Sequence, residues 1–582
     1  TAGQIAASSI TKFGGGTLQF LGNNASFTGD IRLQQGAVEL NYRNTADVAT
    51  NVVTTIGGNG GNIIFEGAGT TLNLRGGTDG TGVNFTGSTV TFSKGIVLGD
   101  YVPTVTISLD RSGGSAATSQ NKTFILTGGI TFGQSNGDVG QILRIDGRNG
   151  IRLQVNGVTT LNGRSSFAVE NGYTGTATDL FLDGKVTGTG ALIKGPSDSK
   201  TRELNLRNVL SLNDWTDGTV LQGGTLRVFT KAANGENLGS GNTTAGGMGT
   251  GAITLMQGTL DVRVDADAGN QAGTYTQTGT TVTVTRNSHG YANGQTITVN
   301  SGPAAGTYTV ANVATNTFTF TVAASATVAS TPITWVGADA QTERVFYQGA
   351  GSTGPNVFVK GSALINLDRT GLVTDGSTAA QGSNKQIVFG DLSIGSEILS
   401  ISAGNGYGIE FAGATTLLGN AFFNVGADTV LNGAISAGGS NVLINKIGTG
   451  VLWVNSNNTT NLTGPTYINA GLLDWGNRLT ASSTANLGTG NIYVNPGASA
   501  RTRAVANINS GLGQRIVLTS TPYSSALYRP VHTVTQAELQ NIIGTRTTTS
   551  NEVSYLAWEG GTLNQNLDQS LLADGRIYFG GV

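Results

Sequence analysis

Residues 448–473 read GTGVLWVNSNNTTNLTGPTYINAGLL, two short runs of alternating apolar residues held apart by an Asn/Thr/Gly-rich turn. Period-two alternation turns one side of each run inward and the other toward solvent, the pattern of a half-buried strand. Residues 14–40, GGGTLQFLGNNASFTGDIRLQQGAVEL, repeat that plan: glycine lead, strand, Asn-Asn turn, Thr-Gly pair, second strand and a closing Gly-x-Leu/Val step. A looser copy occupies 188–226, where GTGALIKG leads through LNLRN and NDWTDGTVLQGGTL to the same ending. One strand-turn-strand unit recurring along a chain is the signature of a solenoid, whose coils bury an apolar face only by stacking on their neighbours.

Composition agrees. Ninety glycines, nine prolines and 11% charged residues in 582 describe tight turns and little helix, while 38% hydrophobic residues, placed in short Val/Ile/Thr/Leu/Phe runs, exclude disorder. A net charge of -2 leaves no basic stripe to neutralise phosphates, so no nucleic-acid partner is expected. No apolar run approaches the roughly 18 residues of a spanning helix, so no membrane insertion is expected either. The chain opens on Thr1, which implies a removed leader or a trimmed start, and its lack of cysteine suits an exported protein held by stacking alone.

Read in order, residues 1–102 are N-terminal solenoid coils. Two homologous solenoid modules follow, at 103–269 and 337–505. VTISLDR ending at Arg111 matches ALINLDR ending at Arg369, and NGIRLQVNGVTTLNG (149–163) matches NGYGIEFAGATTLLG (405–419). NLGSG at 237–241 likewise matches NLGTG at 486–490. Between the modules, 270–336 changes to Thr-rich strands with hairpin-length turns, an inserted antiparallel β domain of sandwich or barrel type resembling small domains of phage tail and surface proteins. The remaining 506–582 form a C-terminal region with terminal strands and one short helix, VTQAELQNII at 534–543, whose Thr535 and Glu538 make a capping box.

The segments KFGGGTLQFLGNNASFTGDIRLQQGAV and KIGTGVLWVNSNNTTNLTGPTYINAGLL resemble the autotransporter-associated β-strand repeat of large bacterial surface proteins, and NLGSG and NLGTG resemble that repeat's follow-on step. The resemblance implies an all-β, right-handed parallel β-helix (β-solenoid) displayed outside the cell. No membrane-barrel domain of the autotransporter type follows, which implies another secretion route or a further C-terminal region. At about 20 residues per coil the solenoid would have on the order of 20 coils and a length of roughly 100 Å. Asn at equivalent corners, Asn23-Asn24 and Asn457-Asn458, would form hydrogen-bonded ladders or single turns.

Candidate chemistry is sparse. A β-helix polysaccharide-degrading enzyme needs two or three carboxylates clustered on one face. The nearest groupings are Asp214 with Asp217, Asp261 with Asp265 and Asp267, and the pairs Asp110-Arg111 and Asp368-Arg369, whose recurrence favours a structural salt bridge or corner. The string from Asp265 to Asn270 resembles part of a calcium loop without its closing Glu. His289 and His532 are the only histidines and there is no cysteine, so a Cys/His site is excluded and no metal or cofactor is expected. Gly-rich strings lack the following helix of a phosphate cradle. Trp215, Trp453, Trp475, Tyr467 and Tyr493 would suit a sugar groove if exposed and the core if not.

The expectation is a non-enzymatic, extracellular β-solenoid that does structural or adhesive work, with neither catalytic nor cofactor residues. A phage tail fibre and a polysaccharide-degrading enzyme are the alternatives. Its partners would be copies of itself, joined through terminal strands into a fibre or layer, and a surface polysaccharide. The opening ITKFGGGTLQFL and the closing GRIYFGGV, with Ile577, Phe579 and Val582, supply the strands to be covered.

Overall fold

The computed structural model describes residues 5–502 apart from short internal stretches, the longest being 233–242, 370–384 and 476–486, and after 502 only Arg515–Leu518, Tyr555–Trp558, Asn566–Asp568 and Tyr578–Gly581. Every regular element among the described residues is a β-strand. The helix expected at 534–543 lies outside them. The chain divides into two compact units, Thr1–Lys231 with Thr244–Arg263, and Ala232–Thr243 with Val264–Val582.

In the first unit successive strands fall into three parallel sheets in rotation. Gly95–Leu98 joins the first sheet, Thr104–Asp110 the second and Thr123–Leu126 the third, and Ile130–Phe132 returns to the first. Pairing is in register. Ile10, Ile31, Ile63, Ile96 and Ile130 are successive partners across the first sheet, and from Ile31 onward this row is 0–1% exposed. Each such side chain contributes about 1.5–3 kcal/mol by burial, so the row is a main source of cohesion. Residues between them, such as Thr131 and Thr160, stay half-buried, as the alternation requires.

In the second unit Ile409 pairs with Thr429 and Leu452 with Leu473, steps of 20 and 21 residues, whereas in the first Ile63 pairs with Ile96 and Ile96 with Ile130, steps of 33 and 34. Both units mix short and long steps, since Thr17 pairs with Ala37 at 20 residues in the first and Ser499 with Tyr555 at 56 in the second, so about twenty residues per coil holds at some steps of each and not at others. The longer steps come from longer connections between strands, as between Asp110 and Thr123. The strands nevertheless correspond one for one. Gln141–Gly147, Arg152–Val155, Thr159–Leu161, Ser165–Asn171, Leu180–Leu182, Val186–Gly188 and Leu192–Lys194 match Ile398–Ala403, Gly408–Phe411, Thr415–Leu417, Ala421–Val425, Thr429–Leu431, Ile435–Ala437 and Ile444–Ile447.

Glycine is obligatory where coils touch at a corner. Gly36 and Gly471 have φ of 75° and 64°. A Cβ at Gly36 would lie 2.5 Å from the carbonyl oxygens of Gly14 and Gly16, and one at Gly471 would lie 2.7 Å from those of Gly448 and Gly450. The Gly-x-Gly of one coil thus receives the single Gly of the next.

Residues 271–337 are antiparallel. Gln271–Thr285 pairs with Thr317–Gly337, which pairs with Thr296–Ser301, which pairs with Gly306–Thr309. Phe318, Phe320, Val282, Val284, Ile297, Ile333 and Trp335 fill its own core, with Phe318 set edge-on to Trp335 at 5.5 Å. Its four strands form one hydrogen-bonded sheet. Its first strand bends until Gly273 lies against the Thr285 carbonyl, 2.8 Å from where a Cβ would sit.

Candidate functional site

The repeat's Lys-x-Gly step has a defined task. Lys446 occupies a core position, in register between Phe423 and Ile468, and its Nζ donates to the carbonyls of Ile447, Gly448 and Ala470 at 3.2, 2.7 and 2.9 Å. Lys12 makes the same three-carbonyl staple to Phe13, Gly14 and Gln35. Lys94 donates to Gly29 and Gly60, both at 2.7 Å, over the Phe27 ring. Each staple ties one coil's corner to the next. Burial pushes Lys446 down to about 7 and Lys94 down to about 8, in the second case against the pull of Asp30. Lys194 stands where Lys446 does in the strand correspondence, yet its Nζ makes no hydrogen bond. The Gly195 carbonyl beside it accepts from Ser166 Oγ instead, and burial pushes Lys194 down to about 8, opposed by Glu170.

A row of outward charge lies on the third sheet of the first unit. Arg152 faces Asp179 at 3.8 Å, and Arg207 grips Asp183 with two 2.8 Å bonds while stacking over Phe181. Arg227 reaches Glu203 at 2.7 Å on one side and Asp261 at 2.6 Å on the other, and Arg263 closes the row on Asp261 at 2.8 Å. Burial raises the Glu203 carboxyl, Asp179 and Asp261 add to the rise, and Arg227 opposes it. A raised carboxyl is the mark of a general acid, but the Glu203 oxygen is already held by a guanidinium. Each carboxylate of the row faces an arginine. The arrangement can bind coil to coil, and it offers no free acid-base pair.

This row was missed in the sequence although a signal existed, since Asp183 and Arg207, and likewise Glu203 and Arg227, lie 24 residues apart. Of the groupings singled out, Asp214 is held by Lys185 at 2.6 Å, which keeps its carboxyl low despite burial, and Asp217 is exposed on the following turn. Asp261 is the ion-pair hub, with 3% of its side chain exposed. Asp267, His289 and His532 lie outside the described residues, as does the side chain of Asp265. Among described residues no three His, Cys, Asp or Glu side chains converge as a metal site. No described helix is long and apolar enough to cross a membrane.

The Asp-Arg pairs are corners and not salt bridges. Asp110 Oδ1 accepts from the Arg111 backbone N–H at 2.8 Å and from Asn149 Nδ2 at 2.7 Å. Asp368 Oδ1 does the same with Arg369 and Asn405, at 2.8 and 2.6 Å. Asn149-Gly150 and Asn405-Gly406 take positive φ at both positions, as in a type I′ turn. The carboxylate clamps the next coil's turn in both units.

An asparagine ladder forms in the second unit. Asn495 donates to Asn469 and Asn469 to Asn445, all three buried. Asn458 instead accepts from the Ile435 backbone N–H at 2.6 Å, and Asn23 and Asn457 are outside the described residues. The aromatic candidates divide. Trp215, Trp453 and Trp475 are at most 6% exposed and cannot line a groove. Tyr467 and Tyr493, both half-buried, stack face to face at 4.7 Å on adjacent coils, which occupies one face of each ring.

No protein-family model matches the chain, and no curated protein matches its sequence.

Proposed function

We propose that each unit is a right-handed parallel β-helix, and that the protein is an extracellular structural or adhesive component of a bacterial surface, of the kind its autotransporter-like repeats imply. The observation that carries this is the rotation of strands through three in-register parallel sheets with stacked apolar rows. Parallel crossovers are right-handed in nearly all proteins, which supplies the hand. Charge spent on coil-to-coil pairing, as in the Arg227 row, and lysines spent on staples favour scaffold work over catalysis.

Copies would join through terminal strands. Ser9–Lys12 and Thr17–Phe20 each pair along one edge only among the described residues. Ile10 and Leu18 are only half-buried, whereas their partners Ile31 and Val38 are fully buried. Unpaired strand edges over uncovered apolar rows favour strand addition by another chain. Electron microscopy and light scattering, with and without residues 574–582, test this. Filaments or layers that vanish on the deletion are expected, and a monodisperse monomer at high concentration would return the reading to a monomeric adhesin that meets a surface polysaccharide.

A further inference from the structure

The segment 271–337 has 67 residues, 18 of them threonine, and Arg286 is its one Asp, Glu, Lys or Arg. That arginine is 6% exposed, its guanidinium lying toward the Trp335 ring. The described surface of this domain therefore carries no Asp, Glu, Lys or Arg beyond that buried edge, where soluble domains normally devote a quarter or more of their surface to charge. Cross-strand partners on its outer face are threonines: Thr281 with Thr321, Thr283 with Thr319, Thr285 with Thr317.

Midway along, the two long strands lose their regular neighbours. Register slips between Tyr275 and Gln277 and again between Gly279 and Thr281, and Gln277 Nε2 bridges the slip by donating to the carbonyls of Gly279 and Ala324. Around this bend Thr276, Thr278, Thr280 and all of 323–327 are exposed, and a Cβ built on Gly279 would meet nothing within 4 Å. Among the described residues, 276–280 pair only with the 317–337 strand, whose 323–331 stretch has no neighbour on its other side. Natural sheets guard such edges with lysine, other charges or proline; here the one guard is Pro332, at the end of the stretch.

We infer that this ribbon, 276–280 with 323–331, is a self-association surface on which a second copy of this chain docks by antiparallel strand pairing. Unpaired backbone donors and acceptors call for a backbone partner. A surface without charge gives no steering toward an oppositely charged protein, nucleic acid or membrane, and it meets its own copy without repulsion. Two-fold pairing would set threonine opposite threonine, the contact already used inside the domain. This interface is separate from the terminal strands.

Sedimentation of the chain lacking residues 574–582 isolates it. That protein is expected to form a dimer, and Thr278→Lys to weaken dimerisation about tenfold or more with its circular dichroism unchanged. Thr278→Glu should weaken it equally, and an equimolar mixture of the two variants should recover it. Thr309→Lys, an equal charge on the third-entering strand Gly306–Thr309, should leave it intact. A monomer in the deleted but otherwise native chain, equal dissociation by Thr309→Lys, or no recovery in the mixture overturns the inference; loss of filaments on deleting 574–582 bears only on the terminal strands.

Discussion

Lys446→Met distinguishes two effects that oppose one another at the staple. Methionine keeps the length of the side chain and fills the same core position, but removes a donor that reaches three carbonyls, all of them served by the ammonium and two at a time by the neutral amine. Orphaning buried acceptors costs about 1–3 kcal/mol each where no other partner is found, so a total of about 3 kcal/mol is a moderate expectation. Against this stands the burial that lowers Lys446 from 10.5 to about 7. A lysine depressed on folding binds its proton more tightly when unfolded. The native state therefore gains stability as pH rises from about 7 to about 10.5, and loses it as pH falls through that window, by up to roughly 1.4 kcal/mol per unit. The variant lacks that slope. Its deficit should be largest near pH 10, about 3 kcal/mol, and shrink toward zero near pH 7. Urea unfolding followed by tryptophan emission, native against variant at pH 7, 8.5 and 10, reads the difference directly, and other titrating groups cancel between the two. A deficit that is constant with pH, or that grows on acidification, refutes the reasoning and means that the three carbonyls hold the ammonium more strongly than burial expels it.

Arg501→Met should cost about 3 kcal/mol in unfolding midpoint, because Asp474, with 0% of its side chain exposed, would lose the guanidinium that meets it at 2.6 Å. Gly471→Ala should destabilise by about 2 kcal/mol or more, since a left-handed φ of 64° and a 2.7 Å approach to two carbonyls both oppose a Cβ; Gly14→Ala, where φ is 73° but nothing lies within 4 Å, should cost about half as much in the same melt. Asn469→Leu should lower protection from hydrogen exchange in peptides covering 444–447 and 492–494 together, by about 1–2 kcal/mol, because it breaks both ladder bonds at once; a loss confined to one neighbour would contradict the ladder.

Strand-forming segments, their alternation and the glycine corners were legible in the chain itself. These are local: period-two placement of Ile, Val, Leu and Thr specifies a half-buried strand whatever it pairs with, and only glycine fits a left-handed corner under a neighbouring carbonyl. The like segments of 141–194 and 398–447 each form seven strands in the same order, again from local pattern. The all-β character and the switch to antiparallel pairing at 271–337 follow from such local patterns.

What the chain alone left undecided depended on which residues stack across coils. Asp110-Arg111 reads in sequence as a salt bridge or a corner, and only the tertiary structure chooses the corner, giving the carboxylate to Asn149, 39 residues on. Among the described residues a ladder runs through Asn445, Asn469 and Asn495, which no local pattern marks out. Arg227 finds Glu203 24 residues before it and Asp261 34 residues after. Such contacts depend on the spacing between paired positions, which varies from 20 to 56 residues as the connections between strands lengthen. Parallel pairing joins residues with no local turn to set their register, so only the folded stack decides which polar groups meet.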